Sequence, residues 1–428
     1  MTEAGDAASS HGATPDQPAV PLPAGQGDRL DNLDFIRGIA VMGILFANII
    51  SFGQPTTAQS FPDAFMVPHG PLSDVLWVVQ FVLIDGKVRA LFSMLFGAGM
   101  WLFLEKAWSR GQDADLQARR LFWLLAFGVL HFFFIWKGDI LLLYGLCGFV
   151  LLLFLNLTAR AQIVTALSIY GVGQVIYALS TVPVWYVVNS PAQGTADTLE
   201  TLRGAELAAG QDAMLEANLI QHGRWGELVA HNFAQHASDP LLGFLMVGFE
   251  TVPLMLIGMA LYRMGLFSGA FDRRCQLGWG GAGIAVGAAL SLVAGVWAWR
   301  EGFTFWGTQV AMLALSHIPR LMMGVGLLAV LAVVGAGRDG WLGQRIRAAG
   351  RAAFSNYLGT SIVMMLVFHG WAGGLFGVLS RPALYGVAFA TCLLMLAWSK
   401  PWLDRFRFGP LEWAWRCLTY WCRFPIRR

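Results

Sequence analysis

Ten apolar stretches recur along the 428 residues of this chain, near 35–52, 89–105, 119–136, 138–156, 161–188, 240–262, 278–299, 309–335, 352–378 and 383–399. A helix needs roughly 20 apolar residues to cross the hydrocarbon core of a bilayer. No backbone polar group can go unsatisfied in lipid, so such a series dictates an all-α polytopic transmembrane bundle of about ten spans. Composition agrees: 13% of residues are charged and 56% hydrophobic, whereas soluble domains carry roughly 25% charged residues. These figures exclude a nucleic-acid binder and a secreted disulfide scaffold. The five cysteines form no CxxC pair, so neither a disulfide framework nor a zinc site is expected.

A shorter apolar piece at 72–84 cannot span alone and ends at Asp85-Gly86-Lys87, as an interfacial or re-entrant helix leading into the second span would. Ten spans with the N-terminus inside leave 21 Lys and Arg residues in inner segments and seven in outer ones. That excess orients both termini toward the cytoplasm. Residues 1–28 are small, polar and Pro-rich, the composition of a disordered tail. The expected order is therefore that tail, a membrane region over 29–188, an outer loop of amphipathic helices over 189–239, and a second membrane domain over 240–428 with a basic tail. The Gly-rich run at 278–287 reads as helix packing.

Ionisable groups inside a membrane are costly, so each is a functional candidate. Asp34 and Arg37 sit at the inner end of the first span and Asn48 near its outer end. The charged pair shares a helix face, as either an interfacial ion pair or part of a site. Asp85 and Lys87 flank a glycine at the mouth of the second span, where a discontinuous helix could line a cavity or a lysine could snorkel to headgroups. His131 lies about 7 Å below the tight turn Trp136-Lys137-Gly138-Asp139 at 1.5 Å per residue. Asp139, Asp85 and Asn48 are expected at that same depth, and a histidine oriented by a carboxylate is what a general base requires. In Ser316-His317-Ile318-Pro319-Arg320 the proline kinks the span and turns His317 and Arg320 away from lipid. Arg320 then binds an anionic group or pairs with a structural acid. His222, His231 and His236 in the outer loop lack HExxH spacing, no carboxylate completes a set, and no metal is expected. His69 reads as an outer-loop turn residue.

Several of these segments are familiar together. Leu33-Asp34-Phe35-Ile36-Arg37-Gly38 with Asn48, and Lys87 through Gly99, resemble the opening signatures of the YeiB-type bacterial membrane proteins, a domain-of-unknown-function family. So do His131 with Trp136, Gly138-Asp139 and Tyr144-Gly145; Gly350-Arg351 with Asn356-Tyr357; and Gly409-Pro410 with Glu412-Trp413 and Trp415-Arg416. The resemblance runs from 33 to 416 and is thin between 190 and 310. This chain departs from the family in having Lys137 where a second carboxylate or other polar residue is usual, and Thr360 where Gln is common. Its 316–320 segment keeps only Pro319.

The first helix is also similar to that of integral-membrane acyltransferases of the heparan-α-glucosaminide N-acetyltransferase type. That similarity implies a bacterial inner-membrane enzyme passing an acyl group from a cytoplasmic donor, acetyl-CoA or another acyl-CoA, to a small-molecule, glycan or lipid acceptor at the outer face. On this reading His131 is the general base, Asp139 or Asp85 orients it, and Lys87 or Asn48 stabilises the oxyanion. Asp34, Arg37, Arg351, Asn356 and Arg416 hold the donor, while Arg320, His317 and Trp136 contact the substrate. A transporter or exporter of a small anionic or amphipathic molecule is the rival expectation, since broken helices with buried charges suit it too.

Overall fold

The computed structural model describes residues 31–68, 70–190, 194–338 and 340–428. The tail over 1–28 and His69 lie outside them. Among the described residues the regular structure is helical, with a single isolated bridge between Phe406 and Arg427. In chain order the helices are α1 (Asp31–Gly53), α2 (Pro71–Leu83), α3 (Lys87–Trp108), α4 (Asp115–Phe134), α5 (Leu141–Leu151) and α6 (Ala159–Asn189). Next come α7 (Ala196–His222), α8 (Trp225–Gln235), α9 (Asp239–Arg263), α10 (Arg273–Arg300) and α11 (Phe305–Gln309). A π-helical turn, Val310–Leu315, leads into α12 (His317–Val334); α13 (Trp341–Arg351), α14 (Ala353–Phe368), α15 (Arg381–Arg405) and α16 (Pro410–Tyr420) follow.

Six of these helices, α1, α6, α9, α10, α12 and α15, are long and apolar enough to cross a membrane. The other four expected spans fall on α3, α4, α5 and α14, which are either more charged or shorter. The ninth expected span, 352–378, is shorter as a helix: α14 stops at Phe368. Val164, Val175 and Leu179 on α6 and Val293 on α10 stand more than half exposed. Aliphatic faces of that kind suit lipid rather than water. This is a membrane protein.

Local chemistry sets the helix ends. Thr158, Thr195 and Asp272 accept N–H bonds from Ala161, Thr198 and Cys275 as side-chain caps of α6, α7 and α10. Gly86 adopts φ +75°, which separates α2 from α3. Pro319 lacks an N–H, and the preceding turn widens so that Ser316 N–H reaches Ala311 O at 3.0 Å.

Close packing relies on small residues. α3 and α9 touch through a reciprocal pair: a Cβ on Gly97 would stand 1.8 Å from Met255 O, and one on Gly258 would stand 1.9 Å from Met94 O. Within the 278–287 run, Gly280, Gly283 and Gly287 face α12, whereas Gly278 and Gly281 meet open space. The bundle has two distinct ends. One, here the basic end, holds the start of α1 and is crossed by α13 and α16. The other is capped by α7 and α8, with Gly370 N–H bonded to Ile220 O at 2.9 Å.

Candidate functional site

His131 ends α4 one turn before the chain reverses. Its carbonyl accepts the N–H groups of Ile135 and Trp136, which closes the helix. The turn is tight because Gly138 leaves room for the Trp136 indole, 2.2 Å from where a Cβ would lie. The chain therefore re-enters at once with Asp139. One carboxylate oxygen of Asp139 accepts Leu142 N–H at 2.7 Å, capping α5, and the other lies 2.7 Å from His131 Nδ1. Both side chains are fully buried. A proton on Nδ1 directed at Asp139 leaves the lone pair on Nε2, the atom a general base uses. Among the described residues Nε2 has no hydrogen-bond partner. The Tyr357 ring stands 5.3 Å from the imidazole and the Trp136 ring 6.3 Å.

Two cavities approach this pair from opposite ends of the bundle. The capped-end cavity, about 430 Å³, is lined by Asn48, Ser51, Thr56, Trp136, Lys137, Gly138 and Asp139, with Asp239 from α9. The basic-end cavity, about 240 Å³, is lined by Arg37, Arg120, Arg351, Arg407 and Arg416 at its mouth and by Phe92, Tyr144 and Tyr357 deeper in. A small void of about 10 Å³ between α1 and α14 touches both Tyr357 and Asn48. Tyr357 thus borders the basic-end cavity and the void, and Asn48 borders the void and the capped-end cavity. His131 itself lines none of these spaces; Asp139 and Tyr357 stand between it and them.

The basic-end cavity carries five arginines against one acid, Glu412. Arg120 lies 4.3 Å from the Trp415 ring, and Arg416 lies 4.4 Å from that of Phe408. Arg37 bonds Asp34 at 3.3 Å and occupies the space left by Gly99. Glu412 accepts the N–H groups of Phe354 and Ser355 at 2.8 and 3.1 Å, so its carboxylate caps α14. Burial pushes the Glu412 carboxyl above its ordinary value, opposed by its bonds to Ser355 and Phe354. At the other end Lys137 pairs with Glu216 of α7 at 2.7 Å and Trp136 stacks on Phe52 at 4.0 Å. The cap is therefore tied to the same turn that supplies Asp139.

The remaining candidates separate from this site. Asp85 accepts from Gln80 at 3.0 Å, and Gln80 in turn accepts from Arg381 and Tyr385. Lys87 donates to Phe81 O at 2.5 Å. Matching depth had suggested that both would face His131; they lie instead beside Arg320, whose guanidinium packs on Gly86. Arg320 is paired internally: it donates to Glu250 at 2.6 Å and to the Met312 carbonyl at 2.9 Å. Glu250 also accepts from Arg89 at 2.7 Å. His317 stacks on Tyr170 with centroids 3.8 Å apart, away from His131 and Asp139. Asn356 commits its amide to Ala349, Ser399 and Trp398 and holds α14 against α15 rather than facing a donor. Asp34 acts through Arg37.

Sequence reasoning missed Tyr144, Arg120, Arg407 and Glu412 as cavity walls, having taken the two arginines as topology-setting charge. It also missed Glu250, although a lone acid within the apolar run of α9 is itself a signal.

Residues 261–422 match a family model described as a protein of unknown function (DUF418). The chain is 29% identical to the uncharacterized protein YxaH of Bacillus subtilis, covering 94% of this chain and 96% of that protein. It is 28% identical to the uncharacterized protein YeiB of Escherichia coli, over 92% and 96% respectively. An uncharacterized 39.9 kDa protein from the amylase 3' region of Bacillus acidopullulyticus is 25% identical over 94% of this chain and 97% of its own length. No solved structure matches the chain.

Proposed function

From a chain that is YeiB-like over nearly its whole length, we propose an integral-membrane acyltransferase with its basic end at the cytoplasmic face of the inner membrane. The supporting observation is a buried His131–Asp139 pair flanked by two cavities, one lined by Asp139 and the other by Tyr357, whose ring stands 5.3 Å from the imidazole. An acyl-CoA donor enters the basic-end cavity. Arg351, Arg416 and Arg120 suit its phosphates, because guanidinium groups bind phosphate oxygens in bidentate fashion. The acyl thioester extends past Tyr144 toward Tyr357. An acceptor hydroxyl or amine enters from the capped end beside Asn48 and Asp139.

In the transfer step His131 Nε2 takes the acceptor's proton as its oxygen or nitrogen attacks the thioester carbonyl. The carbon–sulfur bond then breaks, and the thiolate recovers the proton from the imidazolium. Asp139 holds the imidazole in the right tautomer and stabilises its positive charge. Asn48 offers an amide N–H to the oxyanion. Because His131 is walled off, acceptor binding must move the Tyr357 ring aside.

Purified protein incubated with labelled acetyl-CoA tests this. Transfer or slow hydrolysis of the donor that His131→Ala abolishes supports the enzyme, and absence of any donor binding overturns it. One observation favours a transporter instead: the Arg89–Glu250–Arg320 network bridges the break at Gly86 and the π-helical turn. Substrate-dependent uptake into proteoliposomes, lost in Glu250→Gln, would support that reading.

A further inference from the structure

We propose that Asp212, His231 and His236 bind a divalent transition-metal ion of the Zn²⁺ class where α7, α8 and α9 meet. Spacing along the sequence gave no reason to expect this, because the carboxylate that completes the set comes from a different helix. One ligand atom from each residue lies within 4.8 Å of the others. His236 Nε2 stands 3.8 Å from Asp212 Oδ1, and the two imidazoles are 5.2 Å apart at 73°. Ligand atoms bound to Zn²⁺ at about 2.0–2.2 Å sit roughly 3.3 Å apart in a tetrahedron. The set is therefore open by up to about 1.5 Å, a gap that rotamer adjustment on two surface helices closes.

Two independent features point to a ligand rather than to a chance cluster. Among the described residues, Nε2 of His231 and Nε2 of His236 are both buried without a hydrogen-bond partner, and His236 is only 6% exposed. His236 Nδ1 is held by Asp239 at 2.8 Å. A carboxylate on the far nitrogen fixes the tautomer that presents Nε2 to a metal, as outer partners of metal-bound histidines do. Two imidazoles and one carboxylate suit Zn²⁺ and its neighbours, and leave a position for water. Asp239 also lines the capped-end cavity. An ion here would fasten the cap over that cavity, whatever the cavity binds.

Full-length protein in detergent, stripped with a chelator, is titrated with Zn²⁺ by calorimetry. A single ion per chain is expected, with a rise in melting temperature on loading. His231→Ala and His236→Ala should each abolish both effects. Asp239→Asn should weaken binding about 10- to 100-fold, the usual cost of losing an outer partner, and His222→Ala should change nothing. X-ray absorption on the loaded wild-type protein should show two imidazoles and oxygen near 2.0–2.1 Å, a result independent of how the variants fold. Failure to bind Zn²⁺, a different ligand set, or binding that survives loss of both histidines would overturn the site.

Discussion

Asp139 serves two neighbours at once: Oδ1 lies 2.7 Å from His131 Nδ1 while Oδ2 caps α5 through Leu142 N–H. Substitutions can separate these duties. Asn caps helices about as well as Asp but cannot stabilise an imidazolium. Asp139→Asn should therefore keep its melting temperature and lose acyl transfer about 100-fold or more, the scale of a general-base contribution. Asp139→Ala should lose transfer and also about 1 kcal/mol of cap stability. Parallel rate and thermal-unfolding measurements on the two variants decide the matter; equal activity in Asp139→Asn and wild type would rule out the dyad.

The arginines divide into two groups with opposite expected effects. Arg351 and Arg416 line the basic-end cavity, whereas Arg320 is locked to Glu250. A hydrogen bond to a charged group contributes about 1.5–3 kcal/mol. Arg351→Ala or Arg416→Ala should thus weaken acyl-CoA binding about 10- to 100-fold. Arg320→Ala should act mainly on stability. It leaves Glu250 with Arg89 alone in a buried setting, and breaking a buried pair costs about 3–5 kcal/mol. Donor titration against Arg320→Ala that showed the larger affinity loss would count against the assignment of the cavity.

Glu412 gives the basic end a pH dependence. Its carboxyl is raised by burial above the ordinary value of 4.5. The folded state therefore holds its proton more tightly than the unfolded chain does. The associated stability is fully present below pH 4.5 and is lost as pH rises through the elevated folded value. Glu412→Gln removes that titration while its side-chain oxygen still accepts from Phe354 and Ser355. Its melting temperature should vary less with pH above 4.5 than that of the wild type, whereas Glu412→Ala should melt lower at every pH. Identical pH profiles for wild type and Glu412→Gln would refute the raised value.

The sequence exposed depth better than direction. His131 and Asp139 were readable as a pair because Gly138 makes the turn so short that residues eight apart must meet across it. Arg37, Arg351 and Arg416 were readable as one end of the bundle because counting residues along apolar spans gives their height. Counting cannot give rotation about a helix axis, which neighbouring helices set through packing. Asp85 and Lys87 share the expected depth of His131 yet turn toward Gln80, Phe81 and Arg320. Arg320 likewise has the right height for a ligand and the wrong partner, Glu250. Asp212 joins His231 and His236 only through the way α7 folds back over α8.

Rotation also decides which glycines matter. A Cβ on Gly97 or Gly258 would press into a main-chain carbonyl of the opposite helix, at 1.8 and 1.9 Å. Backbone cannot move aside as a side chain can, so either alanine forces α3 from α9, and overpacking of this kind costs about 1–3 kcal/mol. Gly278 meets nothing within 4 Å. Gly278→Ala should gain up to about 1 kcal/mol from helix propensity. Thermal unfolding in detergent should consequently rank Gly278→Ala at or above wild type, and Gly97→Ala and Gly258→Ala well below it. The double variant should be less costly than the sum of the two, because once the helices have parted at one glycine the second contact is already relieved. A strictly additive double variant would mean that the two contacts do not share one interface.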